Sequence, residues 1–246
     1  MCEYISTNGP TSVESLSDQI RAAIKQCPLI KVFAFSGYKS SGKSFYANEL
    51  FDYIDDSRRL PYASRMKPDF CINPVTSFAK PLKQTVSNLF DIPQHYFYDS
   101  VLKDAPVKKY NKTPRQLLQW FGTEVMQTEL TRFLGYSDRM LWVNKCILEQ
   151  LNEYVSLERL DVCYIIIDDL RFAHEHAALN DYFDRDNVTF IRVVNTTVPA
   201  FTEEEKSRLH VSETEHELLE SDWIIKNDLE TIDEKLIAEI AFVAIM

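Results

Sequence analysis

The sequence predicts an α/β protein of three layers, in which helices flank a mainly parallel five-stranded sheet. Apolar runs typical of buried strands occupy residues 30–35, 73–78, 162–169, 188–194 and 223–225, and stretches with helical periodicity separate them. A loop with two glycines follows the first strand, and two aspartates end the third. Strands that alternate with helices form parallel sheets covered on both faces, and this order therefore predicts the three layers.

The loop after the first predicted strand has residue types that bind phosphate. It reads Gly-Tyr-Lys-Ser-Ser-Gly-Lys-Ser at residues 37–44, between a strand pattern and a helix pattern. The glycines let successive backbone N–H groups point inward, and the start of the following helix adds positive potential. A chance match in a flexible loop is the alternative. The residues that we predict to bind nucleotide phosphates are Gly37, Lys39, Ser40, Ser41, Gly42, Lys43 and Ser44.

Two adjacent aspartates, Asp168 and Asp169, end the third predicted strand, and Arg171 follows them. Ligands of parallel sheets bind at the carboxyl ends of the strands, so these residues are expected near the loop. We predict that Asp168 and the Ser44 hydroxyl ligate Mg²⁺ and that the other aspartate approaches an acceptor or orients an arginine. Which aspartate serves the metal is left open, and a strand that ends in an ordinary polar turn is the alternative.

A second group of candidates lies before and within the helix predicted at residues 113–124, which opens with a threonine cap and a proline. Arg115, Gln119 and Gly122 recur at helical spacing and therefore share one face, which suits a phosphate and a base edge. Lys80 and Lys83 follow the second predicted strand, where an α/β sheet binds its ligands. An ordinary surface helix and two solvated lysines are the alternatives.

The chain has no evident linker or internal repeat, so we predict one domain over residues 1–246. It carries an N-terminal helical extension at 1–28 and an inserted substrate-binding helical region at about 91–155. Residues 91–112, rich in aromatic residues and lysine, are expected to form either a mobile flap over phosphates or a plain surface connection. Residues 1–11 and 55–69 are expected to be irregular.

Composition limits the classes of partner. A net charge of −10 argues against a role in coating nucleic acid or a membrane surface, which needs a broad basic face. No apolar run approaches the length that spans a membrane, and no signal peptide is visible. The five cysteines form no metal or disulfide pattern, which favours free thiols in a reducing cytoplasm. We expect a cytoplasmic protein with a small-molecule substrate, and a homodimer is left open.

Six stretches, taken in order, resemble the deoxynucleoside monophosphate kinases of bacteriophages. They are the loop at 37–44, Phe-Ala-Lys-Pro-Leu-Lys at 78–83, Pro-Arg-Gln-Leu-Leu-Gln-Trp-Phe-Gly-Thr-Glu at 114–124, Asp-Leu-Arg-Phe-Ala-His-Glu at 169–175, and residues 210–213 and 222–228. The resemblance implies a P-loop kinase that transfers the γ-phosphoryl group of ATP to a deoxynucleoside 5′-monophosphate with Mg²⁺. For a viral enzyme, it implies the host-cell cytoplasm.

The resemblance also implies residue roles. Asp169, Arg171 and Glu175 would lie at the reacting centre or hold the substrate. Phosphoryl transfer itself needs positioning and charge neutralisation, for which Lys43, Arg115 and Arg171 are the candidates, and Asp169 is the candidate for orienting or deprotonating the attacking group. The residues that it implies for the monophosphate and base site are Arg115, Gln119, Gly122, Thr123 and Trp142. Lys83 is a further candidate for binding the substrate. Gln116 and Gln127 depart from the family, because similar sequences often carry a basic residue there. The first thirty residues have no counterpart in the family.

Two other functions stay open at this point. A kinase for another small acceptor, such as phosphomevalonate, would share the same core and a similar glycine loop. A non-enzymatic nucleotide switch of the regulatory GTPase type would need an Asn-Lys-x-Asp signature for guanine. The Asn-Lys pairs at 111–112 and 144–145 lack that aspartate.

Overall fold

The computed structural model describes residues 15–27, 29–57, 70–134, 139–155, 162–199, 201–209, 211–230 and 232–245. In this part of the chain, five strands form one sheet in the order β2-β3-β1-β4-β5, and every pairing is parallel. The strands are β1 Ile30–Ser36, β2 Phe70–Ile72, β3 Val162–Leu170, β4 Val188–Asn195 and β5 Trp223–Asn227. The predicted α/β fold with a parallel five-stranded sheet is confirmed.

Helices cover both faces of the sheet. They are α1 Leu16–Ile24, α2 Lys43–Ser57, α3 Ala79–Phe90, α4 Pro114–Gln119, α5 Leu130–Leu134, α6 Leu141–Val155, α7 Ala173–Tyr182, α8 Glu203–Arg208 and α9 Glu234–Ile245. A ten-residue π-helix, Trp120–Glu129, joins α4 to α5. None of the helices in the described ranges is long and apolar enough to cross a membrane.

The alternation of side chains along β1 explains the three layers. Val32 and Ala34 belong to one core with residues of α1, α6 and α7, whereas Phe33 and Phe35 belong to a second core with residues of α2 and α9. Successive side chains of a strand point to opposite faces, so β1 contributes to both cores. The strand order also places β1 in the middle of the sheet. Its carboxyl end therefore opens at the centre of the sheet edge, beside the end of β3.

The second strand differs from the prediction. β2 is Phe70–Ile72, and the predicted strand at 73–78 contributes only an isolated bridge between Thr76 and Ile167. The Asn73 backbone N–H donates to the Tyr154 hydroxyl at 3.2 Å, and Pro74 has no N–H to donate. The ladder is therefore interrupted at these two residues, although the Thr76 bridge still keeps this segment at the end of β3.

Residues 91–112 are packed, although the sequence led us to expect a loop. They contain two short 3₁₀ helices, Gln94–Phe97 and Leu102–Asp104. Ile92 and Phe97 are buried in a small third core with Val86 of α3 and Leu117 of α4. The segment is therefore held against α3 and α4, where the sequence had left open a mobile flap or a plain surface connection.

Two other regions, 55–69 and 1–11, were predicted to be irregular. Helix α2 extends to Ser57, so residues 55–57 are helical, and 58–69 lie outside the described ranges. Residues 1–11, which were predicted to be irregular, and the first residues of the predicted N-terminal helix lie outside them too. The described part of that helix, α1, packs on α6 through Ile20 and Ala23.

Candidate active site

The loop at 37–44 forms the turn between β1 and α2, and its backbone needs glycine at two positions. Gly37, Ser40 and Gly42 have φ values of 139°, 63° and 99°, all in the region that disfavours side chains. A Cβ at Gly37 would lie 2.3 Å from a β4 carbonyl oxygen, and one at Gly42 would lie 2.4 Å from Asn227 Nδ2. That amide donates to the Ser41 carbonyl at 2.9 Å, which fixes the loop from the end of β5.

Lys43 is the first residue of α2, and its side chain folds back over the loop. Its Nζ donates to the carbonyl oxygens of Gly37 at 2.7 Å and Tyr38 at 2.6 Å. Burial, with a contribution from the positive charge of Arg171, lowers the pKa of the Lys43 ammonium to about 8. The ammonium group therefore lies in the concave side of the loop, where an anion would gain most from it.

Ser44 and Asp168 come together from different elements. The Ser44 hydroxyl, in the first turn of α2, donates to Asp168 Oδ2 near the end of β3 at 2.5 Å. Burial raises the pKa of Asp168, and the neighbouring charge of Asp169 raises it further. No cluster of three or more His, Cys, Asp or Glu side chains suited to a metal occurs in the described ranges. The Ser44–Asp168 pair offers two hard oxygen donors, which suit Mg²⁺ in a site completed by phosphate and water.

Asp169 is engaged by the backbone at the start of α3. Its Oδ1 accepts from the N–H of Phe78 at 2.7 Å, and its Oδ2 accepts from the N–H of Ala79 at 3.1 Å. The first N–H groups of a helix lack partners within the helix, so a carboxylate there both satisfies them and complements the helix dipole. Asp169 therefore joins β3 to the N-terminus of α3.

One glutamate binds the backbone of Arg171, and another binds its guanidinium group. Glu175 Oε2 accepts from the backbone N–H groups of Arg171 at 2.7 Å and Phe172 at 3.0 Å. Glu213, in a 3₁₀ turn at Val211–Glu213, pairs with the Arg171 guanidinium at 2.7 Å. Burial raises the pKa of Glu175 to about 8, with a further contribution from the charge of Asp169. The arginine is thereby fixed at the carboxyl edge of β3.

Helix α4 and the π-helix form the opposite wall. Thr113 caps α4 in a capping box with Gln116, whose side chain accepts from the Thr113 backbone N–H at 3.0 Å. This confirms the predicted helix start and shows what glutamine does at the position where similar sequences are basic. A Cβ at Gly122 would lie 2.8 Å from a methyl carbon of Leu82, so glycine lets the π-helix approach α3 closely.

Trp142, in the first turn of α6, is only 8% exposed but lines the cleft. Its Nε1 atom is buried and has no hydrogen-bond partner within the described part of the chain. A buried indole N–H normally finds a partner in folded proteins. Because this atom is buried, the indole N–H would reach a ligand in the cleft only after the side chain had shifted.

The structure reveals a contact between the two walls that the sequence did not indicate. Asp104 accepts from Arg115 Nε at 2.5 Å and from its second guanidinium nitrogen at 3.3 Å. The same carboxylate pairs with Lys39 Nζ of the loop at 3.3 Å. Lys83 lies 4.4 Å from the centre of the Tyr98 ring, and Lys80 pairs with Glu149 at 2.7 Å. Asp104 sits in the segment predicted as a loop, and no periodicity or motif marked it.

The predicted site residues surround one cleft of about 770 Å³. Those that line it are Lys39, Ser40, Lys43, Ser44, Lys83, Arg115, Gln119, Gly122, Thr123, Trp142, Asp168, Asp169, Arg171 and Glu175. The other three, Gly37, Ser41 and Gly42, shape the loop without lining the cleft. Asn48 and Arg139 also line it and had no signal in the sequence. Lys103 and His174 line it too, and they lie in the stretches 91–112 and 169–175 that the sequence had singled out without giving either residue a role. His210 lies outside the described residues.

Comparison with known proteins identifies the family. Residues 76–237, well over half of the chain, match the model of a family described as deoxynucleotide monophosphate kinase. A comparison with curated proteins finds no match. The matched region begins after residues 37–44, so the phosphate-binding geometry of the loop is an observation separate from the match. The match favours the nucleotide kinase over the phosphomevalonate kinase and the non-enzymatic switch. The chain therefore belongs to the deoxynucleotide monophosphate kinase family.

Proposed function

We propose that the protein transfers the γ-phosphoryl group of ATP to the phosphate of a deoxynucleoside 5′-monophosphate in a reaction that depends on Mg²⁺. The products would be ADP and a deoxynucleoside diphosphate for DNA precursor synthesis in the cytoplasm. The observation that carries the proposal is that the loop at 37–44 and the wall made by α4 and α6 line the same cleft. A phosphoryl donor and acceptor bound there would face each other across it.

ATP fits the loop because of its backbone and its lysine. Inward-facing N–H groups and the N-terminus of α2 bind the phosphate oxygens. Lys43 now donates to two loop carbonyls, and terminal phosphates would offer its ammonium stronger, charged acceptors in the same place. The lowered pKa of Lys43 returns toward its ordinary value when an anion binds beside it, so the group is cationic in the complex.

The Ser44–Asp168 pair fits Mg²⁺, and we propose these two residues as its protein ligands. Bound there, Mg²⁺ would neutralise charge on the transferring phosphate. The chain contributes a hydroxyl from α2 and a carboxylate from β3, and their 2.5 Å contact supports the proposal that both oxygens bind one ion. Asp168 is the metal ligand of the aspartate pair, because both oxygens of Asp169 already accept backbone N–H groups.

We propose that the acceptor lies against α3, α4 and α6. Arg115 and Lys83 would bind its phosphate, since a guanidinium fork and an ammonium group complement phosphate oxygens. Gln119 and Thr123 offer hydrogen bonds to a base edge, and Trp142 lines the same wall. Gly122 lets the π-helix that carries Thr123 approach α3 closely.

Positioning and neutralisation would supply the catalysis. The acceptor phosphate is already ionised at neutral pH, since its second pKa is about 6, and it needs no general base. Asp169 accordingly acts by holding the start of α3, and Glu175 acts by holding the backbone of Arg171. Arg171 would contact the transferring phosphoryl group together with Lys43 and stabilise the charge of the in-line transition state. We also propose that residues 91–155 form the substrate-binding insertion of one continuous domain.

The test is a coupled ADP-release assay with ATP and Mg²⁺ against dTMP, dGMP, dCMP and dAMP and the matching ribonucleotides. We expect turnover with at least one deoxynucleotide, little with ribonucleotides, and none once EDTA removes the metal. ATP binding without turnover of any monophosphate would overturn the proposal and redirect the search to other phosphorylated acceptors.

A further inference from the structure

Asp104 joins groups that belong to opposite sides of the proposed reaction. Lys39 lies in the donor loop, and Arg115 lies in the acceptor wall. The Asp104 carboxylate contacts both, bidentately for Arg115 and at 3.3 Å for Lys39. A carboxylate between an ammonium and a guanidinium group occupies the kind of position that a phosphoryl group takes when it bridges two cations.

The surroundings hold more positive charge than one carboxylate neutralises. Lys103 also lines the cleft, and its pKa is lowered by burial and by the charges of Arg115 and Lys39. Lys83 contributes to the same effect. The hydrogen bond from Arg115 is the main cause that lowers the pKa of Asp104 to about 2, so the carboxylate stays ionised at neutral pH. Among the described residues, Lys103 and Lys83 therefore add positive charge beside the contact of Asp104 with Lys39 and Arg115, which leaves this place attractive to a group of higher negative charge.

The contact is easily exchanged. The side chains of Asp104 and Lys39 are 42% and 55% exposed, and that of Arg115 is 29% exposed. Exposed ion pairs contribute little to stability, because water and salt screen them. A phosphate dianion has three oxygens and more charge, and it makes stronger hydrogen bonds to the same cations. It can therefore displace the carboxylate.

We propose that Asp104 occupies, in the free enzyme, the position of a phosphoryl group between Lys39 and Arg115, and that the acceptor's phosphate displaces it. This inference rests on the proposed function. Lys39, a residue of the donor loop, would then also bind the phosphate of the acceptor. Asp104 would compete with that phosphate for Lys39 and Arg115. A nucleoside without a phosphate cannot compete for this position, so the site selects monophosphates over nucleosides.

The short 3₁₀ helix that carries Asp104 lies outside the third core, although residues on either side of it pack there. Asp99 accepts from the backbone N–H groups of Val101 and Leu102, both at 2.8 Å, and so caps the 3₁₀ helix Leu102–Asp104. The Val101 side chain is exposed, and none of the residues in this helix is buried. The helix can therefore swing away from Arg115 without uncovering part of the core.

The first experiment measures KM for the monophosphate in Asp104→Asn at saturating ATP and Mg²⁺. Removal of the competing charge is expected to lower KM by about fivefold, the factor that corresponds to an exposed pair of ~1 kcal/mol. Asp91→Asn is the matched control, because it removes the same charge from the same segment at an exposed site away from the cleft. An unchanged or raised KM in Asp104→Asn would overturn the inference.

A second measurement needs no turnover. Inorganic phosphate is titrated calorimetrically into the full-length protein without ATP, for the wild type, Asp104→Asn, Arg115→Gln and the double variant. We expect Asp104→Asn to bind phosphate more tightly by about the same fivefold factor, and we expect that gain to vanish in the Arg115→Gln background. Equal affinity in the wild type and Asp104→Asn would refute the inference. Should the wild type turn over no monophosphate, the proposed function fails, and this titration still decides the role of Asp104.

Discussion

Replacing Asp169 by asparagine separates a positioning role from a role as a general base. Each carboxylate oxygen accepts one backbone N–H, from Phe78 at 2.7 Å and from Ala79 at 3.1 Å. Asparagine keeps one acceptor oxygen but turns an NH₂ group toward the other N–H. The substitution therefore removes one hydrogen bond to a charged acceptor, which contributes about 1.5–3 kcal/mol to stability.

Part of that loss is offset. The charge of Asp169 raises the pKa of Asp168, so its removal relieves repulsion between neighbouring carboxylates. We expect Asp169→Asn to lower the free energy of unfolding by about 1–2 kcal/mol, the hydrogen-bond loss minus this relief. Because α3 carries Lys83, a loosened start of the helix should raise KM for the monophosphate more than it lowers kcat.

The assay combines urea unfolding at pH 7, followed by far-UV circular dichroism, with the pH profile of kcat. Asp168→Asn is the control, since it should lose Mg²⁺-dependent turnover while α3 keeps its cap. If Asp169→Asn is as stable as the wild type but loses kcat and the acidic limb of the pH profile, this reasoning is refuted and Asp169 acts as a general base.

Three further predictions concern the loop and the buried glutamate. Lys43→Ala should lower kcat by about 100-fold or more at unchanged far-UV circular dichroism, because a charged donor to the transferring phosphate is lost; wild-type ADP release would contradict the assignment. Gly42→Ala should lower the free energy of unfolding by about 1–3 kcal/mol, because its φ is 99° and the new Cβ meets Asn227; an unchanged thermal midpoint would show that the loop relaxes. Glu175→Gln should change how stability depends on pH. Between the ordinary glutamate pKa and about 8, the folded wild type keeps a proton that the unfolded chain has lost, so its stability falls as pH rises, by at most ~1.4 kcal/mol per pH unit. The variant should not show this fall in stability. If the stabilities of the wild type and the variant change with pH in parallel between pH 5 and 8, a raised pKa of Glu175 is excluded.

The sequence predicted the parts of the site that local residue order determines. The loop at 37–44 is a contiguous motif between a strand and a helix, and the apolar run of β3 leads directly to Asp168 and Asp169. Parallel strands bring their carboxyl ends to one edge, so two local patterns were enough to place Ser44 near Asp168. The Thr113 cap was equally local, because a capping box spans only four residues.

Features that depend on distant partners were missed. The predicted strand at 73–78 is interrupted because the Asn73 N–H donates to Tyr154, a residue of α6 that lies far along the chain. The π-helix at Trp120–Glu129 has the same kinds of residue as an α-helix, so helical periodicity alone did not distinguish the two. Asp104 is one of many surface carboxylates until the fold brings Lys39 and Arg115 to it. None of these contacts leaves a periodicity in the sequence.

The central place of β1 determines when a newly synthesised chain can first bind nucleotide. Both partners of β1 come late in the sequence, since Val32 pairs with Ile165 of β3 and with Val188 of β4. Contacts so far apart in sequence form slowly, and a ribosome-bound chain that ends before β3 has no strand beside β1. The phosphate loop, although made early, therefore stays unsupported until most of the chain has emerged. If the loop binds ATP as proposed, ATP in the cell would favour molecules whose β3 and β4 have already paired with β1, because a ligand stabilises only the conformations that bind it.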